Sequence, residues 1–316
     1  MNRAAQLFIF DSKRPCVLTP GTNKDSSREL QSRAVVALIV GVTCIGAAPI
    51  LVRLSEVGPS ATAFYRVGIV LPIYWLLAIR DVSAVRKGFT SPSLRMLAAA
   101  GFFFAADLSL WHWSLRYTTV ANSTLLTNLA PIFVLIGART LLREKANRGL
   151  LTSVAIAMIG SAMLVASSAR LARENLFGDA LSIVTAFFYA GYLVTLKRGR
   201  AELPTAVVMA ISGLVSCPLM FFAGWAANEK LVPESGKGWA VLVALGFISH
   251  LGGQGLIAYG LAHVQAAFSA AVLLWQPVVA AILAALVLGE SLSGMQIAGG
   301  IVVLLAIYLA QRNLPR

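Results

Sequence analysis

WSLRYTTVANSTLLTNLAPIFVLIGARTLLRE, residues 113–144, and YGLAHVQAAFSAAVLLWQPVVAAILAALVLGE, residues 259–290, are two versions of one segment set 146 residues apart. Leu115/Leu261, Ala121/Ala267, Ser123/Ser269, Pro131/Pro277, Ile136/Ile282, Ala138/Ala284, Leu142/Leu288 and Glu144/Glu290 coincide, eight identities in 32 positions. In so apolar a composition, aliphatic matches arise by chance. A proline and a glutamate matched at the same thirteen-residue spacing carry the argument. Each copy is a long apolar helix pattern with one internal proline, so the chain reads as a larger unit present twice.

The flanking sequence has the same character. The chain is 58% hydrophobic and 12% charged, with a mean hydropathy of +0.78, whereas a soluble domain carries roughly 25% charged residues. The apolar residues fall in ten blocks of about 20, the length that crosses a hydrocarbon core. These lie near 34–54, 60–79, 94–115, 118–142, 149–168, 177–196, 204–226, 239–262, 265–288 and 294–311. They leave no room for a soluble domain. The expected fold is an all-α polytopic membrane protein of ten transmembrane helices.

A net charge of +13 could suggest a nucleic-acid partner, but the placement of the cations excludes that reading. With the amino terminus taken as cytoplasmic, nineteen Lys and Arg fall in inner segments and five in outer ones. That asymmetry is the positive-inside pattern, and it places both termini in the cytoplasm of a plasma or inner membrane. The lipid bilayer is therefore the macromolecular partner, not nucleic acid. Residues 1–33 are mixed polar, with Pro15, Pro20 and Gly21, and read as a disordered cytoplasmic tail. A first five-helix repeat is expected over 34–170, a second over 171–311, and a short cytoplasmic tail over 312–316. Cys16, Cys44 and Cys217 show no spacing for a metal or a disulfide. No cofactor motif is present, and the lack of a Walker A pattern argues against ATP drive by this chain.

Five helices per repeat is an odd number, so the second copy enters the membrane from the opposite side. Inverted repeats of this kind underlie alternating access around a central site. The polar residues inside the spans are then candidates for that site, because an ionisable group at bilayer depth is costly, on the order of 2.5–3.5 kcal/mol. Asp107 is the deepest acid, twelve residues from Arg95 and nine from Arg116, with Trp111 one turn on. It could receive a substrate ammonium, carry a coupling proton, or pair structurally with Arg66. The position 146 residues on is Gly253, flanked on one helix face by His250 and Gln254. These two residues are the expected cavity face of the second repeat. His112, between Trp111 and Trp113, reads as interfacial. Arg66 lies about six residues from the outer end of its span; it reads as an ion-pair or interfacial residue, or as a cation for a substrate carboxylate. Pro131 and Pro277 are the expected hinges, since each removes the N–H that would reach Thr127 or Leu273. Asn128 beside the first, with Trp275 and Gln276 beside the second, are further candidate cavity residues. Glu144 and Glu290 read as loop anchors or salt-bridge partners.

Phe177-Gly178-Asp179, followed by Phe188-Tyr189-Ala190-Gly191-Tyr192 and Lys197-Arg198, resembles the opening helix of an EamA domain. Pro59 through Arg66 resembles that domain's second helix, and the proline-to-glutamate helix of each copy its fourth. Over 34–311 the chain is similar to the ten-helix drug/metabolite transporter superfamily. It departs from strict repetition in having Ile211 where the first copy has Arg66. The resemblance implies export of a small metabolite, an amino acid or a drug.

A secondary transporter moving a small molecule, with a proton or other ion as coupling species, accounts for the spans, repeats and prolines together. A lipid or lipid-linked-sugar flippase of the same fold is the alternative, and it would want an outer basic groove that only Arg53, Arg66 and Arg116 could supply. A membrane-embedded enzyme would need a catalytic constellation at membrane depth, and one acid with dispersed histidines is not one. One acid, one base, aromatics and amides suit a neutral or zwitterionic, amino-acid-like substrate.

Overall fold

The structure is a computed structural model that describes residues 24–166, 173–288 and 293–314. Residues 1–23 of the expected tail, with Cys16, the 170/171 junction and Glu290 lie outside the described residues. Among the described residues there are helices and no strands. Ten helices have the length and hydropathy to cross a membrane: Glu29–Arg53, Pro59–Ala78, Ser91–Tyr117, Asn122–Thr140, Arg148–Val165, Arg173–Arg200, Thr205–Ala226, Gly236–Leu261, Ala266–Leu283 and Gly294–Arg312, here spans one to ten. Spans one and ten begin and end on one face of the bilayer, the near face; the other is the far face.

The packing has the internal symmetry that a duplicated, inverted chain requires. Span one packs against span eight, and span six against span three. Two pairs with seven, four with nine, and five with ten. Exchanging the two sets of five maps this pattern onto itself. Spans five and ten approach so closely that a Cβ built on Gly299 would meet the Gly160 carbonyl at 2.6 Å, and one on Gly160 would meet the Gly299 carbonyl at 2.9 Å. Close approach of this kind is what small residues contribute where burial in lipid gives helices no hydrophobic drive to associate.

Local sequence explains the helix ends and interruptions. Ser293 and Gln296 form a capping box at the start of span ten. Four spans are broken rather than bent. Pro49, Pro72, Pro131 and Pro277 each sit in the first turn of the second segment of their span, where the missing N–H costs nothing. Before Pro131 and Pro277 the chain tightens through three-residue hydrogen bonds, Leu129 N–H to Leu126 O at 3.1 Å and Trp275 N–H to Val272 O at 2.9 Å. Pro218, by contrast, is carried inside a continuous helix. Span eight contains a π-helical stretch, Leu245–Gln254, a local overwidening frequent at functional sites. The Tyr74 hydroxyl donates to the carbonyl of His250 at 3.1 Å within it.

The connections between spans two and three and between spans seven and eight carry ordered contacts. Val82–Gly88 is a short helix whose N-cap, Asp81, accepts from the Ala84 N–H at 2.9 Å. On the far face, Glu229 accepts from the N–H groups of Ser60 (3.2 Å) and Ala61 (3.0 Å) at the start of span two. Glu56 accepts from the Ser235 hydroxyl and from the N–H groups of Glu234 and Ser235. The Ser235 hydroxyl is the main cause that holds the Glu56 carboxyl below the usual glutamate range, so this clasp between repeats is anionic at neutral pH.

Candidate functional site

The sequence places Asp107 in the far half of span three and Arg66 two turns into span two from the same face. Packing brings both to one cavity of about 80 Å³ at the centre of the bundle. Its walls come from seven spans: Ile45, Gly46 and Pro49 from one, Arg66 from two, Asp107, Leu108 and Trp111 from three, and Thr124 and Thr127 from four. Thr185 and Tyr189 of span six, Gln254 of span eight, and Gln276 and Ala280 of span nine complete it. Both repeats contribute, and the breaks at Pro49, Pro131 and Pro277 all abut it.

The charges in this cavity are unusual in being deep and not directly joined. Arg66 is 2% exposed and Asp107 6%. Among the described residues neither forms an ion pair within 4 Å. Arg66 Nε and Thr185 Oγ1 are buried without a hydrogen-bond partner in the protein, and the Tyr189 hydroxyl lies beside the amides of Gln254 and Gln276. Buried polar groups are normally satisfied, so unsatisfied ones around a cavity mark a place built for polar atoms from elsewhere.

The matched half-helices differ in burial. Thr124–Thr127 in span four are half-buried and face the cavity edge, whereas their counterparts Ala270–Leu273 in span nine are buried. At the near face, Lys197 forms a 3.0 Å ion pair with Glu144 and donates to the Val264 carbonyl; the other Glu144 oxygen accepts from the Ala266 N–H at 2.9 Å. These contacts tie span four of the first repeat to spans six and nine of the second. A row of rings, Tyr189, Tyr192, Phe104, His250 and Tyr74, fills the space between spans two, three, six and eight, with centroids 4.4–6.3 Å apart.

The sequence model of the EamA-like transporter family matches residues 32–166 and 176–311, one match per repeat. The chain belongs to the EamA-like transporter family. It is 24% identical over 229 residues to the Pseudopaline exporter CntI of Pseudomonas aeruginosa, covering 71% of this chain and 76% of that one. It is 25% identical over 277 residues to an uncharacterized transporter of Archaeoglobus fulgidus, covering 82% and 90%. A crystal structure with 18% identity superposes with a TM-score of 0.70, covering 93% of this chain and all of the other. This EamA-like protein is thus a multi-pass membrane transporter of the drug/metabolite superfamily, and its family's business is small molecules.

Within the transporter, the residues singled out by sequence separate. Arg66, Asp107, Trp111, Gln254 and Gln276 line the cavity. Asn128 does not; its side-chain amide donates to Ser161 Oγ at 2.7 Å, toward span five, because the break rotates it away. Trp275 points to span one, its indole N–H donating to Thr43 Oγ1 at 3.1 Å on the outside of the bundle. His250 is 2% exposed, stacked on Phe104 and edge-on to Tyr74, so it packs behind the cavity wall. Gly253, the counterpart of Asp107, is packed on Ile45 and the Gly41 carbonyl, where no side chain fits. The two faces are therefore not equivalent in use. His112 is not interfacial: it is 2% exposed, with Nδ1 2.9 Å from the Pro59 carbonyl. Arg66 is likewise inside the bundle rather than snorkelling to an interface. Thr185 and Tyr189, which the sequence does not single out, also line the cavity. They are a Thr and a Tyr one turn apart, set among the further polar side chains Ser182 and Tyr192 on the same span.

Proposed function

We propose that the protein exports a small zwitterionic, amino-acid-like metabolite across the plasma or inner membrane by alternating access, both termini being cytoplasmic. One observation carries this reading: a guanidinium and a carboxylate, both buried and neither ion-paired, face one cavity lined by both repeats. Arg66 would take the substrate carboxylate as a fork, and Asp107 its ammonium. Tyr189, Thr185, Gln254 and Gln276 would satisfy the remaining polar groups. The relative named an exporter of pseudopaline supports the direction, and the charge asymmetry of the connecting segments supports the orientation. The present cavity holds on the order of five water-sized spheres, so turnover requires it to widen. A proton or other ion supplies the drive, with Asp107 the group placed to feel it.

Counterflow in proteoliposomes tests the substrate class. A panel of zwitterionic amino acids should include a saturable substrate, and analogues lacking either the amine or the carboxylate should compete at least about tenfold more weakly, the value of one charge-assisted contact. Equal competition by an amine-free acid would overturn the reading.

In this reading the near-face ion pair holds that side of the transporter closed. Glu144→Gln leaves Lys197, whose side chain is 13% exposed, without its counter-charge, at a cost of about 1–3 kcal/mol to the closed state. An impermeant thiol reagent applied from the near face should then label Ala270→Cys roughly 5- to 150-fold faster. An unchanged rate would remove the pair from gating.

A further inference from the structure

We propose that the near-face groove between spans three, four and six binds an anionic phospholipid, its phosphate held by Ser93, Arg95 and Arg198. The groove is larger than the central cavity, about 390 Å³, and no part of the transport site lies in it. It opens at the start of span three, where the N-cap Thr90 makes no side-chain capping bond; its hydroxyl donates back to the Lys87 carbonyl instead. The first N–H groups of the 27-residue helix that begins at the groove thus have no side-chain cap, an arrangement suited to phosphate. Ser93 supplies an independent sign. It is 4% exposed, lines the groove, and makes no hydrogen bond within the described residues.

The charge is complementary to the same ligand. Arg95 and Arg198 line the groove, and neither forms an ion pair among the described residues. The one acid there, Glu202, is engaged by Lys87 at 3.4 Å. Beside the cations the walls are apolar, with Met96, Val194 and the 60%-exposed Leu141. Two cations over a hydrocarbon wall, at the level where a bilayer places its headgroups, fit a lipid better than a soluble phosphate. The inference stands apart from the identity of the transported substrate.

Native mass spectrometry of the detergent-purified transporter, titrated with phosphatidylglycerol or phosphatidylcholine, tests it. The wild type should retain phosphatidylglycerol preferentially. Arg95→Gln with Arg198→Gln should weaken that retention roughly 30-fold, about fivefold per cation. Arg139→Gln, on the same face but outside the groove, should leave it intact. Ser93→Leu, which fills the groove without altering charge, should displace the lipid as well. Equal retention of both lipids by the wild type, or unaltered retention in the double variant, would overturn the assignment. So would displacement of the lipid by millimolar inorganic phosphate with equal stabilisation of the protein, which would make the site one for a soluble anion. A melting curve recorded on each variant separates loss of lipid from loss of fold.

Discussion

Asp107→Asn should reduce transport by roughly 30- to 4,000-fold, the effect of about 2–5 kcal/mol expected when one member of a buried charge recognition is neutralised. The substitution conserves shape, so the cavity walls and the packing of span three remain. What it removes is the only carboxylate, among the described residues, lining a cavity that also holds Arg66. Arg66→Gln should fall in the same range. The double variant should be little worse than either single one, because both act on one bound molecule and their effects are not additive. Initial-rate counterflow at equal reconstituted protein is the measurement. Unchanged transport in Asp107→Asn, with a lowered melting temperature, would make the pair a structural one and end its role in recognition.

Gly299→Leu should prevent accumulation of folded transporter. The added side chain begins 2.6 Å from the Gly160 carbonyl and 2.9 Å from the Leu164 backbone nitrogen. Neither neighbour is a side chain that could turn aside. Spans five and ten would have to separate along their contact, and overpacking of a tight core costs about 1–3 kcal/mol even where side chains give way. Gly299→Ala should show the graded version, a lowered melting temperature with transport retained, since the cavity does not touch this crossing. Fluorescence size-exclusion chromatography of tagged protein, with wild-type elution for Gly299→Leu, would contradict the argument.

Much of the architecture was legible in the chain because its causes are local or additive. A block of about 20 apolar residues must cross the bilayer as a helix, since no other open structure satisfies its own backbone there. Matched prolines and glutamates showed the duplication, and an odd number of spans per copy forced the inversion. Asp107 stood out for the same reason: an acid so far from either helix end has few bland uses.

What could not be read was rotation about the breaks. Asn128 and Trp275 each lie beside a proline, and sequence distance made both look like cavity residues. The tightened turns before Pro131 and Pro277 aim them at span five and span one instead. Pro49 and Pro72 break their spans as firmly as the two paired prolines, yet nothing repeated marked them. The π-helical stretch in span eight was also silent. Within it Gln254 lines the cavity while His250, one turn earlier, is buried in a row of rings.

The sequence by itself determined the ten crossings, their doubling and reversal, and the one acid at depth, since each follows from transfer energies summed along a single helix. Tertiary packing alone decided that Arg66 and Asp107 meet one cavity without pairing, that Tyr189 and Thr185 join them, and that Lys197 finds Glu144 across the near face. Those facts depend on the angle at which each helix is turned toward its neighbours. Lipid is as apolar as most of these side chains, so hydrophobicity does not fix that angle; close packing and the hydrogen bonds at the breaks do.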